Sequence, residues 1–255
     1  MVKLDDSEPF AKGAMRAAFR MKMMGKRVTA EDRKQGRHLA QWNTQKRFAA
    51  KQYMGESSQQ DILNDVMMQQ EAKLLADAFN SLHPPKQVDF LDGWMLTLDD
   101  TGVCYFVEAF VPGDYKKHNS NAGYVGNSNM STHAETAVRS TPQAFSHFTF
   151  VHSGGRQMCV DIQGVNELFT DPQIHTLHNA DTNQKGDMGL HGFGEFFRTH
   201  VCNNVCRQLR LPPIPLHENE LKAAALLRRL SKSDEESQAP KSSGLGVNSR
   251  QYALQ

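Results

Sequence analysis

The sequence lacks several features that would assign it to a common class of protein. It has no apolar run long enough to span a bilayer, and it begins Met-Val-Lys-Leu-Asp-Asp, without the plan of a signal peptide. Its net charge of +1 argues against binding to nucleic acid or membranes through bulk electrostatics. Without a secretory signal, its four cysteines favour reduced thiols or metal ligands over disulfides. We therefore expect a cytoplasmic protein with no nucleic-acid partner and no membrane partner.

The chain length allows an ordered core that needs no disulfides. Its 255 residues suffice for one large domain or for two lobes that share an interface. Residues 1–8 are polar and predict a flexible N-terminus. Strand patterns follow from Phe10 to Arg20 and again from Arg47 to Tyr53, and the basic, polar stretch between Gly25 and Arg47 predicts an exposed loop or a short helix.

The strongest local signal is helical and runs from Gln59 to Leu82. Apolar residues recur there every three to four positions, and His83-Pro84-Pro85 ends the pattern. Two strand-like runs follow, at residues 88–98 and 103–111, with the turn Asp99-Asp100-Thr101-Gly102 between them. This order of elements is typical of a small sheet lobe.

The second half of the chain predicts a helix, a strand and a tail. Thr141 and Pro142 have the composition of a helix start, with Thr141 as the N-cap. Met158 to Val165 predicts a buried strand with acidic residues near its end. Leu221 to Leu230 predicts a short amphipathic helix, and the charged, Ser- and Gly-rich sequence from Ser231 predicts a disordered tail.

Lys51 lies between apolar neighbours on the predicted strand from Arg47 to Tyr53. Because lysine is seldom buried without a partner, the pattern alone favours a solvent-facing side chain. The alternative is an ion pair with Glu71 of the predicted helix.

Residue types that commonly bind metal ions are clustered at positions 200–206. His200, Cys202 and Cys206 match the ligand chemistry of zinc, and they converge only if the chain is irregular near His200. Three ligands leave one tetrahedral position, for which His147 and Cys159 are candidates. A structural zinc is our preferred interpretation. The alternative is a pair of buried free cysteines beside an ordinary histidine.

An acidic cluster and a glycine run precede these residues in the sequence. Asp161 and Gln163 project from one side of a strand and Asp171 lies beyond a turn, and their oxygen atoms suit Mg²⁺. For Asp171, a turn-forming role is the alternative. The glycine run from Gly186 to Gly194 lacks the order of a dinucleotide-binding fingerprint.

Taken together, several stretches resemble the alpha-kinase family of atypical protein kinases, closest to its elongation factor 2 kinase branch. The resemblance covers roughly residues 9–216. The segments that carry it are Phe10–Arg16, Pro84–Asp89, Ser146–Thr149, Val160–Val165, Thr170–Thr176 and His200–Cys206. The His-Arg-Asp and Asp-Phe-Gly signatures of conventional kinases are absent from the sequence.

The resemblance implies a fold and an activity. The fold is α+β and two-lobed: a catalytic domain at residues 9–217, with a small, mostly β lobe at about 9–108 and a C-terminal lobe at about 109–217 that holds one structural zinc. Residues 218–255 would be a short helix and a disordered tail. The implied activity is transfer of the ATP γ-phosphate, with Mg²⁺, to threonine or serine of protein substrates. A nucleotide-binding pseudokinase or scaffold is the alternative.

The resemblance also implies roles for single residues. Lys51 is similar to the lysine that holds the nucleotide phosphates, and Glu108 to the residue that contacts the adenine end. Gly13 and Arg16 resemble a phosphate-covering loop. Asp161 is similar to the aspartate that orients or deprotonates the substrate hydroxyl. The remaining implied assignments are Gln163 and Asp171 for magnesium, and His147, His200, Cys202 and Cys206 for zinc.

Two further sites follow from the resemblance. Lys86, Arg139 and Thr141 resemble a pocket that receives a phosphothreonine; the alternative is ordinary surface charge. Gly186, Asp187, Gly189 and Gly192 resemble the glycine loop that faces the protein substrate. Because Asp187 stands where the family often has asparagine, we expect it to add negative charge beside the acceptor. This charge is what motivates the pseudokinase alternative.

Overall fold

The computed structural model describes residues 2–23, 29–36, 45–126, 133–177 and 184–214, apart from the side chains of Arg33 and of residues 133–139. The strands in these ranges are β1 (Val2–Asp5), β2 (Ala11–Lys12), β3 (Arg16–Met23), β4 (Arg47–Tyr53), β5 (Asp89–Phe90), β6 (Gly93–Thr97), β7 (Cys104–Ala109), β8 (Tyr115–Lys117), β9 (Gln157–Val160), β10 (Gln163–Val165), β11 (Leu168–Thr170) and β12 (Gln173–Thr176). The helices are α1 (Ala30–Lys34), α2 (Gln59–Asn80), α3 (His133–His152), α4 (Gly189–Thr199) and α5 (Asn204–Gln208).

An antiparallel sheet forms the first half of the molecule, in the order β1-β3-β4-β7-β6, with β2 added to β3. Strand β4 lies at its centre, where β3 and β7 bond to its two edges. Lys51 is therefore only 7% exposed. The expectation of a solvent-facing Lys51 was wrong, because Thr170 and Asp171, from a distant part of the chain, cover its ammonium group.

The flexible N-terminus predicted for residues 1–8 is a strand over Val2–Asp5, so that prediction was wrong for those residues. Each of them pairs with a residue of β3, from Val2 with Met23 to Asp5 with Arg20. The physical reason is the period-2 alternation of Val2 and Leu4 with polar residues, because both apolar side chains pack against the cluster around Met21.

Helix α2 occupies the predicted stretch and begins with a capping box. The Ser58 side chain accepts from the Asp61 N–H, and the Asp61 carboxylate accepts from the Ser58 N–H. The helix packs on β5, β6 and β7, with Phe79 in contact with Phe145 and Phe148 of α3. Not every apolar residue of the predicted periodic pattern is buried, since Leu74 is 69% exposed.

Helix α3 begins at His133, so the prediction of a helix start at Thr141 was wrong. Thr141 lies inside the helix and is buried, and Pro142 follows it within the helix. A proline there removes one helical hydrogen bond. Burial of Ala144, Phe145 and Phe148 offsets this loss, which local start signals do not reveal.

The predicted strand from Met158 to Val165 is interrupted at Asp161 and Ile162. Strand β9 pairs with β12, whereas β10 lies between β8 and β11 in a different sheet. Asp161 makes the change of direction with a φ of 59°, a left-handed conformation that aspartate tolerates better than most residues. The break places the Asp161 side chain at the junction of the two sheets.

Residues up to Ile214 form one compact unit, and the predicted helix at Leu221–Leu230 and the tail from Ser231 lie outside the described residues. Among the described helices, none has the length and apolarity needed to cross a bilayer. The boundaries of the two lobes stay a prediction.

Candidate functional site

A cavity of about 630 Å³ opens between the first sheet and the loops around β10 and β11. It gathers residues that are distant in sequence. The predicted site residues that line it are Gly13, Arg16, Lys51, Glu108, Asp161, Gln163 and Asp171. The structure therefore brings together the residues to which the resemblance gave roles in binding nucleotide and magnesium and in catalysis.

Lys51 carries a buried ammonium group that is fully partnered. Its Nζ atom lies 2.6 Å from Glu108 Oε1 and 2.6 Å from Asp171 Oδ2, and it donates to Thr170 Oγ1 at 3.0 Å. Glu71, the partner considered from sequence, instead accepts from Gln157. Because Glu108 is bound by Lys51 and by the Thr170 hydroxyl, its carboxylate fixes the lysine head.

Arg16 adds a second buried cation beside Asp171. Its guanidinium group bonds Asp65 at 2.7 Å and Asp171 at 2.9 Å, and it lies over the Tyr53 ring. Although burial opposes ionisation of Asp171, the charges of Arg16 and Lys51 outweigh it and lower the pKa of this carboxyl. Asp171 is therefore held as an anion at the floor of the cavity.

The pKa of Asp161 is shifted in the opposite direction from that of Asp171. Burial raises its pKa above the ordinary aspartate value, although Lys117 and Gln163 favour the charged form. Lys117 Nζ lies 2.6 Å from Asp161 Oδ1, and Gln163 Nε2 donates to Oδ2 at 3.0 Å. Sequence reasoning missed Lys117. The signal that finds it is its register on β8, directly opposite Gln163 of β10.

Asn119, also missed from sequence, fixes the backbone next to Asp161. Its Oδ1 atom accepts from the Ile162 N–H at 2.8 Å, and its own N–H donates to the Ile162 carbonyl at 3.4 Å. The Asn119 amide donates in turn to Ser146 of α3 at 3.1 Å. Asn119 is 1% exposed, so these bonds are shielded from water. The position of Asp161 thus depends on helix α3.

The glycine segment is arranged differently from the prediction. Gly189 and Gly192 belong to α4, so only Gly186 and Asp187 lie in a loop. A Cβ atom on Gly192 would come within 2.4 Å of the His175 ring, which explains the glycine as a packing requirement. At Gly186, φ is 91°, which glycine adopts without strain.

The Asp187 carboxylate points into the protein, and its side chain is only 1% exposed. It accepts from the N–H and hydroxyl of Thr176 and from the Gly189 N–H at the start of α4. The expectation that Asp187 adds charge beside an acceptor was wrong. The local reason is that the first N–H groups of a helix need an acceptor.

A second site is formed by His147, His200, Cys202 and Cys206, whose donor atoms lie within 4.8 Å of one another. His147 Nδ1 is 3.8 Å from Cys202 Sγ, and His200 Nε2 is 3.9 Å from Cys206 Sγ. A zinc tetrahedron with ordinary bond lengths has edges of about 3.3–3.8 Å, so these two donor distances lie at or just above its upper limit, and the cluster could hold a metal ion.

The local chain explains how the four donors converge. Helix α4 ends at Thr199, His200 is extended with ψ of 131°, and Asn203 caps α5. This break between two helices is the irregular backbone near His200 that the three ligands need in order to converge. His147 Nε2 bonds the Pro212 carbonyl at 3.0 Å, which turns Nδ1 toward the cysteines. Cys159, the other candidate, lies in the apolar core.

The residues of the predicted phosphate pocket are described only in part. Lys86 bonds Glu167 at 2.6 Å, and its side chain is 37% exposed. Thr141 is buried, and its hydroxyl has no hydrogen-bond partner among the described residues. The Arg139 side chain lies outside the described part of the chain. Convergence of the three on one anion therefore stays a prediction.

Comparisons with known proteins agree with this geometry. The model of the alpha-kinase family matches residues 11–206. The chain is 36% identical to eukaryotic elongation factor 2 kinase of Caenorhabditis elegans over 90% of its length, and 38% identical to that of Mus musculus over 89%. It spans only 28% and 29% of these relatives' lengths.

Solved structures give the same result. The inactive alpha-kinase domain of myosin heavy chain kinase A in complex with ATP superposes with a TM-score of 0.67 at 31% identity. The match covers 83% of this chain and 90% of that one. With the family model, the relatives and the mixed helix-and-sheet fold in agreement, the chain belongs to the alpha-kinase family.

Proposed function

We propose that the chain is an ATP- and Mg²⁺-dependent protein kinase that phosphorylates threonine, or serine, of protein substrates. The observation that carries the proposal is the composition of the cavity. It is lined by Lys51, whose ammonium group is ion-paired, by Asp171, whose pKa is lowered, and by Asp161, whose pKa is raised. Phosphoryl transfer depends mainly on positioning and on stabilisation of phosphate charge, and these are the functions such groups serve. Family membership supports the same activity.

In the proposed reaction, Lys51 and the turn from Gly13 to Arg16 bind the nucleotide phosphates. Asp161 orients the substrate hydroxyl and accepts its proton. The hydroxyl oxygen forms a bond to the γ-phosphorus as the bond from that phosphorus to the β,γ-bridging oxygen breaks, and ADP leaves. Lys117, bound to Asp161, stabilises negative charge at the transferring group. Glu108 keeps its implied place at the adenine end while its carboxylate orients Lys51.

Magnesium would neutralise phosphate charge at this site, and Asp171 and Gln163 are its proposed ligands. Asp171 is held ionised, as a metal ligand must be. The Gln163 amide nitrogen faces Asp161 and the Asp171 carbonyl, so its carbonyl oxygen is the atom available to a cation.

Zinc is proposed as a structural metal in the His147 cluster. With all four positions supplied by the protein, the site has no open coordination position for catalysis. Its contribution would be to join α3 to the segment around α5.

The proposal includes the phosphothreonine pocket of Lys86, Arg139 and Thr141. The Thr141 hydroxyl is buried with no hydrogen-bond partner among the described residues, and Lys86 supplies a cation; groups of these two kinds are suited to a phosphate dianion. The absence of nucleic-acid and membrane partners, and a cytosolic location, stay predictions from the sequence.

The test is phosphate transfer to a threonine peptide by Lys51→Ala and Asp171→Ala. Both variants should lose at least about a hundredfold in rate, because each removes a charge that the transition state uses. Lys73→Ala and Asp92→Ala are matched controls: they break a surface ion pair of 2.8 Å and should keep full activity. Full activity in both site variants would refute the proposal.

The reason for considering the pseudokinase alternative does not hold in this structure. It rested on Asp187 as an acidic residue facing the acceptor, and that carboxylate is buried and bonded to Thr176 and to the Gly189 N–H. Nucleotide binding without any labelling of peptide or protein would restore it.

A further inference from the structure

Helix α2 places a buried amide, that of Gln69, against residues that line the cavity, and sequence reasoning did not single it out. We propose that Gln69 is a positioning residue through which α2 sets the backbone of Asp171 and the side chain of Glu108. This inference rests on the proposed function, because its consequence is the geometry of the magnesium and phosphate ligands.

The Gln69 side chain makes three hydrogen bonds and is 2% exposed. Its Nε2 group donates to the Leu91 carbonyl at 2.7 Å and to Glu108 Oε2 at 3.2 Å. Its Oε1 atom accepts from the Asp171 N–H at 3.1 Å. The partners fix the orientation of the amide, since an N–H only donates and a carbonyl or carboxylate only accepts. Both polar ends of Gln69 are therefore used.

The bond to Asp171 holds an unusual backbone conformation. Asp171 has a φ of 52°, in the left-handed region that few residues other than glycine adopt. Arg16 and Lys51 hold only its carboxylate, whereas Gln69 holds its N–H. Together the three contacts define both the position of the Asp171 backbone and the direction of its side chain.

The bond to Glu108 extends the effect to Lys51. Glu108 Oε2 is the atom that Gln69 contacts, and Oε1 is the atom paired with Lys51. Loss of the Gln69 amide would free Glu108 on one side while its bond to Thr170 remains. The larger effect of a substitution is therefore expected at Asp171, whose N–H would lose its acceptor.

Gln69→Leu tests the inference, with Gln70→Leu as a matched control. Gln70 is the next residue of the same helix and is exposed. The readout is the Mg²⁺ concentration at half-maximal binding of a fluorescent ATP analogue, because this measurement does not require phosphate transfer. We expect Gln69→Leu to raise it about tenfold, which corresponds to the cost of one buried unpaired N–H. Analogue binding without Mg²⁺ should change less than about twofold.

Gln69→Met is a second variant of nearly unchanged size, in case leucine impairs folding. If both variants match Gln70→Leu in Mg²⁺ dependence, the inference is refuted. A lower melting temperature with unchanged Mg²⁺ dependence in the folded fraction would also refute it, because the role would then be only structural. A wild-type protein that binds the analogue with Mg²⁺ but transfers no phosphate would instead count against the proposed function alone.

Discussion

Asp187 Oδ2 accepts a hydrogen bond of 2.6 Å from the hydroxyl of Thr176, the last residue of β12. Through Oδ1 the same carboxylate accepts from the Thr176 and Gly189 N–H groups at 3.1 and 2.7 Å. One buried side chain thus joins the end of a strand to the start of α4. The residue is a structural anchor of the glycine segment.

Asp187→Ala should lower the free energy of unfolding by about 1–3 kcal/mol, the usual cost of leaving a buried donor without its acceptor. Asp187→Asn should cost less, since its amide oxygen can still accept from both N–H groups. Urea unfolding measures both. If Asp187 faced the acceptor, Asp187→Asn would change the peptide KM; we expect KM to stay within about twofold of wild type.

Asn119→Ala should lower kcat about tenfold without a comparable change in the KM for ATP. The reason is that Asn119 fixes Ile162, and with it Asp161, but contacts no part of the predicted nucleotide site. Peptide kinetics and a zinc assay on the same sample separate this effect from unfolding. Asn64→Ala, on the outer part of α2, is the control and should retain wild-type kcat. An equal rise in KM for ATP would contradict the role.

Cys206→Ala should abolish zinc binding at the proposed site and lower the melting temperature by on the order of 10 °C, because a structural metal contributes directly to folding free energy. Elemental analysis of the wild-type protein should find about one zinc. Cys104→Ala is the control: Cys104 lies on β7, outside the cluster, and its loss should leave the zinc content unchanged. A metal-free wild-type protein of full stability would exclude the zinc assignment.

Stability should fall as the pH drops below about 6.5, in part through His175. Burial lowers the pKa of this histidine, although Asn121 and Asp187 favour its charged form. A lowered folded pKa means that the unfolded chain takes up the proton first, so the stabilisation is complete above the unfolded pKa and is lost as pH falls through the folded one.

His175→Gln should flatten this dependence of melting temperature between pH 7 and pH 5, and the exposed His152→Gln should not. His175 Nε2 lies 3.0 Å from the Asn121 carbonyl, and Nδ1 accepts from the Met188 N–H, so the ring is neutral in the fold. Equal slopes in the two variants would show that other groups carry the effect.

Sequence patterns predicted the positions of strands and helices better than the burial and contacts of individual side chains. The bounds of β4 and the stretch of α2 were confirmed, because strand alternation and helical periodicity are local properties. The burial of Lys51 was not predicted, since it depends on which strands pair on either side of β4. The orientation of Asp187 depends in the same way on a tertiary contact, with Thr176 at the end of β12.

In the candidate site, likewise, some residues were predicted and others, which depend on tertiary contacts, were not. Resemblance named Lys51, Asp161 and Asp171, and the structure brings them to one cavity. Lys117 and Asn119 were missed because nothing in a polar stretch distinguishes a residue that contacts Asp161 or its neighbour Ile162 from one that faces water. Strand register supplies that distinction.

The contacts of Asp171 have a consequence for how the protein folds. Lys51 and Arg16 lie 120 and 155 residues before it in sequence. Forming these contacts closes long loops, which is slow and adds little until both partners are structured. Lys51 and Glu108, by contrast, meet across adjacent strands of one sheet. The first half of the chain holds its lysine and glutamate together within one sheet, but the contacts of Asp171 need both halves of the chain, so isolated fragments should not bind nucleotide.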